Sequence, residues 1–463
     1  MKKIKVAYLP LYIKLYDDFG TDRSYYEMYM NKLVTMLEEK NIEIVMADEV
    51  CRVESEFEKA VEKFNSDSEI VAVVTQHLAY SPSLESIGAL KKLKAPIIVF
   101  DTTPDYELLS VAEQEGRIGA NHGIHGVQDM CCMLKRNGIS YDICCGHALH
   151  SNVVDELCGY IRAAQVANTF KNARIGMLGG EFKGMGDFRV DDEYYKETIG
   201  VETVRPTKEA FETYYSNVTD EEVKKEIALD YEKYDVACEN KENYYLAVKT
   251  GLAIRRWMDD EKIDGITVNF LNADESGLPK MPFAECCKIM ARGKGYAGEG
   301  DNLTAGLVAA LINVYPETSF VEMFCPDWEK DIILLSHMGE FNPDITAWKP
   351  VIIDKPFKYN SMGDTVSMVS CLKAGDAVYV NLAPMTEGYS LIISNVEMLD
   401  VGSPDSAYAT AVQGWMKPSK PITEFLKSFS MAGGTHHSAL VYGVDINEIE
   451  AFGKMMGFDV VVI

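Results

Sequence analysis

Glu299, Glu322, His337 and His437 are four residues whose types together suit one divalent metal ion flanked by two carboxylates. Neutral imidazole and ionised carboxylate are donors that a borderline-to-hard ion such as Mn, Fe, Co or Zn accepts. Glu299 lies in Tyr296-Ala297-Gly298-Glu299-Gly300-Asp301, where two glycines end whatever precedes them and let backbone and carboxylate approach a ligand. Glu322 follows Phe320-Val321, and His337 follows Ile332-Ile333-Leu334-Leu335-Ser336, so both polar groups leave apolar runs that read as buried strands. His437 closes Ala432-Gly433-Gly434-Thr435-His436-His437. Each residue alone also has a plainer reading, as a solvated turn glutamate or a hydrogen-bonded core histidine. No two stand at the i, i+4 spacing of a helical ligand pair, so spacing does not join them. His436 is expected outside the ligand set, because adjacent side chains on an extended segment point to opposite sides.

The elements that must carry these groups fall into three stretches. Over the first, strands at 4–8, 42–47, 70–75 and 95–101 alternate with helices at 25–40, 56–65 and 83–92, followed by a long helix over 155–170. That alternation predicts an α/β domain with a doubly wound parallel sheet, whose ligands gather beyond the carboxyl ends of its strands. Gln76 and His77 follow one such end. A second α/β unit opens at 173–178, then has helices at 244–259 and 283–292 and a strand at 266–272, and runs into the Glu299 loop. Asp301 reads as an N-cap for a helix on which Leu303, Leu307 and Leu311 recur. The glycine-rich loop Gly179–Asp187 lacks Gly-x-Gly-x-x-Gly directly after its strand, which argues against a dinucleotide site. Later, short runs at 350–353, 364–371, 377–383 and 389–397, separated by Gly, Asp, Asn and Pro, predict a mainly antiparallel, barrel-like carboxyl-terminal domain. A last helix over 446–456 and a strand over 460–463 complete it. The expected domains are 1–172, 173–316 carrying Glu299, and 317–463 carrying Glu322, His337 and His437.

At 463 residues the chain is long enough for about three domains. A net charge of −26 argues against nucleic acid or an anionic membrane as partner, since both need clustered Lys and Arg. The basic start Met1-Lys2-Lys3 leads into too short an apolar stretch for a secretory signal, and no segment approaches the ~18 apolar residues of a membrane span. The 11 cysteines are odd in number and include adjacent pairs, with no Cys-x-x-Cys, which predicts reduced thiols in a cytoplasmic protein.

In order and in neighbouring residues, Leu278-Pro279, Ala297-Gly298-Glu299-Gly300-Asp301, Ser319-Phe320-Val321-Glu322, Ser336-His337-Met338 and Ala432–His437 resemble the bacterial L-arabinose isomerases, and more distantly the L-fucose isomerases. The resemblance implies that Glu299, Glu322, His337 and His437 bind a divalent metal, manganese first and Co, Fe or Zn otherwise. It also implies that Glu299 and Glu322 are the acid and base of an aldose–ketose isomerisation. Weaker similarity covers Thr75-Gln76-His77, Asn121–Gly126 and Gly186-Asp187. It implies substrate contacts for His125, Asn121, Gln76, Asp187 and His436, with His125 lent by a neighbouring subunit of a homo-oligomer, a hexamer or tetramer. This chain departs from the family in having Met323-Phe324-Cys325-Pro326 where an acidic residue and tyrosines are usual, and Asn302-Leu303 in place of Trp-Lys. It also has Leu9-Pro10-Leu11-Tyr12 in place of a strand-end Gln-His, and it stops at Ile463 without the family's longer tail.

The chemistry expected of two carboxylates and a metal is proton abstraction beside a carbonyl, with the metal stabilising an enediolate while a carboxylate moves the proton from C2 to C1. Two alternatives keep most of these residues: a metal-dependent epimerase or lyase on a modified sugar, and a non-catalytic sugar-binding protein. The second has no need of a paired acid and base.

Overall fold

Short β-branched runs, each followed by an amphipathic helix, leave parallel pairing as the natural way to bury both faces of a sheet. In the first compact unit, Met1–Asn168, this yields β1 (Ile4–Leu11), β2 (Ile42–Met46), β3 (Val73–His77), β4 (Ile97–Asp101) and β5 (Tyr141–Cys145), all parallel in the order β2-β1-β3-β4-β5. The structure, a computed structural model, describes residues 3–111, 113–406 and 408–463. The helices Glu54–Ser66, Ser83–Leu90 and Gly123–Arg136 cover one face, where Leu9, Phe57, Phe64, Val99 and Leu134 are among the buried core residues.

β1 runs three residues further than its sequence suggests, through Pro10. Pro10 lies opposite Gln76 in the β1–β3 register, while on the β2 side the ladder has already ended at Tyr8 and Met46, so its missing N–H interrupts no β1–β2 hydrogen bond. The carbonyl of Pro10 is used, accepting from the Cys51 N–H at 3.0 Å. At the carboxyl end of β3 the Tyr8 hydroxyl donates to Gln76 Oε1 at 2.5 Å. Next to it, His77 is buried with neither ring nitrogen hydrogen-bonded, and burial holds its imidazole down at about 3. A Cβ on Gly126 would lie 2.3 Å from the His77 ring, so the helix Gly123–Arg136 needs glycine there to pack against it.

The second unit, Thr169–Ile463, opens with β6 (Arg174–Leu178), β7 (Glu202–Val204), β8 (Asp235–Val236), β9 (Gly265–Val268) and β10 (Gly295–Gly298). Four of these make a parallel sheet in the order β10-β9-β6-β7. β9 stops at Val268, short of the expected 272, because the Asn269 side chain accepts from the Leu271 N–H at 3.1 Å and turns the chain. The following chain supplies β11 (Thr318–Asp327), β12 (Ile332–Leu335), β13 (Val351–Lys355), β14 (Thr365–Val369), β15 (Gly375–Pro384), β16 (Tyr389–Met398), β17 (Gly414–Pro418), β18 (His437–Tyr442) and β19 (Asp459–Val462).

Six of these strands form a ring of antiparallel pairs, β15-β18-β11-β12-β17-β16, which the β15–β16 pairing closes into a barrel with no free edge among them. The mainly antiparallel, barrel-like region expected from sequence is thus present. The last strand is different: β19 adds parallel to β16 after the helix Ile446–Met456. β13 and β14 also stand outside the ring, in a three-stranded sheet with β8. Among the described residues no helix is long and apolar enough to cross a membrane, and the cysteines are free thiols.

Candidate metal centre

The donors lie at or beside the ends of β10, β12 and β18 and in the middle of β11. β10 finishes at Gly298, and Glu299 then takes a left-handed backbone, φ +64°, before Gly300 at +83°. Such a φ is uncommon outside glycine and turns the Glu299 side chain off the strand direction. A Cβ at Gly298 would stand 3.0 Å from His337 Cε1, 3.2 Å from its Nε2 and 3.8 Å from His437 Cε1, so glycine keeps the floor of the centre open. Antiparallel register pairs Glu322 on β11 with His437 on β18. The Ser336 N–H donates to the Glu322 carbonyl at 3.2 Å, and His337 follows at once beyond the end of β12.

His437 Nε2 is 3.6 Å from Glu299 Oε2, and His337 Nε2 is 3.7 Å from Glu322 Oε2. The donor atoms form two overlapping triplets that share His437, one with Glu322 and His337 and one with Glu299 and His436, each within 4.8 Å. His437 Nε2 is buried and has no hydrogen-bond partner. An orphaned imidazole nitrogen among carboxylate oxygens, above a glycine floor, is an environment a divalent cation fits.

The other face of each imidazole is held by a buried carboxylate. Glu340 Oε2 is 2.7 Å from His337 Nδ1, while its Oε1 accepts from the Tyr296 hydroxyl at 2.7 Å. Asp301 Oδ2 is 3.0 Å from His437 Nδ1, and its Oδ1 caps the helix Asn302–Val314 by accepting from the Thr304 N–H at 2.8 Å. Such partners on Nδ1 leave Nε2 free to face the centre. Burial alone would depress His337, but Glu340, then Glu322 and Glu299, outweigh it and raise the imidazole to about 9. Burial raises Glu299, and the His436 hydrogen bond with the charges of His437 and His337 more than reverses this, leaving it below the usual carboxylate range. Phe320 packs edge-on to His337 and His437, both at 5.0 Å, and Phe188 stacks on His437 at 5.1 Å with planes 12° apart.

His436 corrects one expectation. It sits on the same side as His437, ring centres 4.2 Å apart, with Nε2 3.3 Å from Glu299 Oε2. The alternation rule does not reach it, because β18 begins only at His437. Its Nδ1 is 2.6 Å from Asp187 Oδ2. Burial opposes ionisation of both, yet their contact moves Asp187 down to about 2 and, with Glu299, His436 up to about 10. Asp187 and His436 thus join the four expected ligands in one cluster. Gln76, Asn121 and His125 belong to the first unit. Gln76 is buried against Tyr8, and Asn121 is tied to Asp105 through both side-chain atoms. His125 is exposed, stacked on Tyr80 at 4.4 Å and hydrogen-bonded to His122 at 2.9 Å. Glu340 and Phe188 escaped the sequence reading; Glu340, three residues after His337, was the only one with a nearby signal.

Comparison with known proteins shows what the chain is similar to. Family models of the L-arabinose isomerase N-terminal, central and C-terminal domains match residues 25–172, 197–315 and 317–459. The chain is 24% identical to L-arabinose isomerase 2 of Bacillus licheniformis over 87% of its own length and 86% of that protein. It is 23% identical to the L-arabinose isomerase of Herpetosiphon aurantiacus, covering 89% and 84%, and 24% identical to that of Geobacillus kaustophilus, covering 86% and 82%. Fold and matches together define a sugar isomerase, an intramolecular oxidoreductase. The chain belongs to the L-arabinose isomerase family.

Proposed function

We propose that the chain is a metal-dependent aldose–ketose isomerase acting on a small free sugar through an enediolate. The observation that carries this reading is the pair of donor triplets, Glu322 with His337 and Glu299 with His436, that share His437, whose buried Nε2 has no hydrogen-bond partner. Glu299, Glu322, His337 and His437 would hold a divalent cation, manganese by family resemblance. When bound it polarises the substrate carbonyl and the adjacent hydroxyl. Of the two glutamates, one takes the proton from C2 and returns it to C1, while the O2 proton passes to O1, so the aldose becomes a ketose with no net gain or loss. Glu299, ionised at neutral pH, and Glu322 are both able to serve as that base.

A preference among sugars is proposed from the residues that follow Glu322 in the chain. Discrimination among aldoses falls to groups that hydrogen-bond the remaining hydroxyls, each worth ~1–3 kcal/mol. Met323, Phe324 and Cys325 follow Glu322 on β11, with Phe324 and Cys325 exposed, and carry no hydroxyl groups. L-arabinose is therefore expected to be a poor substrate beside a less polar, deoxy or modified aldose. Initial rates of the Mn-loaded enzyme on L-arabinose, D-galactose, L-fucose and further aldoses, with ketose and epimer both detected, test function and preference together. No ketose from any aldose would sink the isomerase reading, and a ~10-fold preference for L-arabinose would sink the preference.

We further propose a cytoplasmic homo-oligomer, a hexamer or tetramer, in which His125 and Asn121 serve a neighbour's centre. In the first unit Phe19, Leu84, Tyr106, Leu109, Ile118 and Ile124 are all exposed. Exposed apolar groups of this size are what an interface between copies removes from water. Light scattering at assay concentration is expected to give four or six chains; a fully active monomer would remove the idea. Division into domains at 172/173 and 316/317 belongs to the same reading.

A further inference from the structure

Residues 179–190 between β6 and the helix Asp192–Thr198 are irregular, yet two consecutive residues there grip two consecutive histidines. Asp187 Oδ2 lies 3.0 Å from the backbone nitrogen of His436 and 2.6 Å from its Nδ1. Phe188 stacks on His437 and packs at 5.4 Å against His436. His436 needs such a hold: it precedes β18, so its N–H has no ladder partner and donates to Asp187 instead.

With Nδ1 fixed on Asp187, the remaining nitrogen faces Glu299 Oε2 at 3.3 Å. That oxygen is also the one 3.6 Å from His437 Nε2. Glu299 sits between two glycines on a left-handed backbone, and its carboxylate is faced by the two histidine rings. His436, at 3.3 Å, is the one within hydrogen-bond distance.

We infer that Asp187 is a positioning residue acting through His436: one carboxylate oxygen anchors both the main chain and the ring of His436, and His436 in turn sets the orientation of the Glu299 carboxylate. This rests on the reading of Glu299 as acid or base. It differs from a direct Asp187–sugar contact, because Oδ2 is already engaged twice.

A double-mutant cycle on the Mn-loaded full chain separates the two roles. Asp187→Ala is expected to lower kcat ~10–100-fold, with KM and Mn affinity within about threefold of the parent. In a His436→Gln background the same substitution should change kcat by less than about twofold. Independent, multiplying losses would overturn the proposal, as would a rise in KM with kcat unchanged. Asp187→Asn, which keeps shape and removes charge, covers the case in which the alanine variant does not fold. In the metal-free protein with 15N-histidine, Asp187→Asn should shift the His436 Nδ1 resonance, and an unmoved resonance would overturn the assignment. That spectrum does not depend on turnover, so a parent chain inactive on every aldose would defeat the functional reading, while an unmoved resonance would defeat the Asp187–His436 anchor itself.

Discussion

Glu322→Gln and Glu299→Gln are each expected to lower kcat by ~10²-fold or more, with the fold intact. Glutamine keeps the size and one acceptor oxygen but can neither take up nor release the C2 proton, and general acid–base contributions of this kind are worth about 10²–10⁴ in rate. Position argues that both losses reach the chemistry. Glu322 faces His437 across the β11–β18 pair, and Glu299 Oε2 lies within 3.6 Å of both His436 Nε2 and His437 Nε2. The two substitutions differ in what else they disturb. Glu299→Gln also removes the charge facing His436, while Glu322→Gln removes the charge 3.7 Å from His337 Nε2 and leaves the Glu340 contact in place. Single-turnover measurement of C2-proton exchange with solvent separates proton transfer from binding. A variant that keeps parental exchange would leave its glutamate with a structural role only.

A chelator is expected to abolish turnover and Mn to restore it, and Gly298→Ala should imitate the chelator from within. A methyl group there meets His337 Cε1 at 3.0 Å and Nε2 at 3.2 Å, so either the ring or the ion must give way. The backbone at Gly298 is ordinary strand, so alanine brings no backbone strain and its cost to the metal-free fold is that of the His337 contact. Calorimetry should show Mn affinity lower by about 10²-fold or more in Gly298→Ala, with the metal-free protein still melting cooperatively. Parental affinity would place the cation elsewhere. The pH dependence has a definite sign. His337 stands at about 9 in the metal-free centre, so at neutral pH an incoming cation must displace its proton. Apparent affinity is thus expected to fall as pH drops from 8 to 6, roughly tenfold per unit for one released proton. A flat profile would mean His337 is not a ligand.

The local features of this chain were readable along it. The helix over 446–456 matches Ile446–Met456, since its apolar positions recur at helical spacing and its ends are marked by Asp445 and Gly457. Asp301 was legible as an N-cap for the same reason: its partner is the Thr304 N–H, three residues on. The parallel α/β units were legible from alternation, and the barrel from short runs broken by turn residues. By itself the sequence determined the types and the order of the donors, Glu299, Glu322, His337 and His437, because residue identity sets which ions and protons a side chain can hold.

Only the tertiary structure decided how those donors meet. A period-2 pattern tells which face a strand residue takes but not which strand lies opposite, so the pairing of Glu322 with His437 rests on barrel closure and register. The second bond of Asp301, to His437, joins a helix cap to a barrel strand, and nothing near Asp301 in the chain announces it. His436 shows the limit in one residue. Its side follows from where β18 starts and from a loop some 250 positions earlier that brings Asp187 to it, since long-range contacts are fixed by packing and not by the local chain.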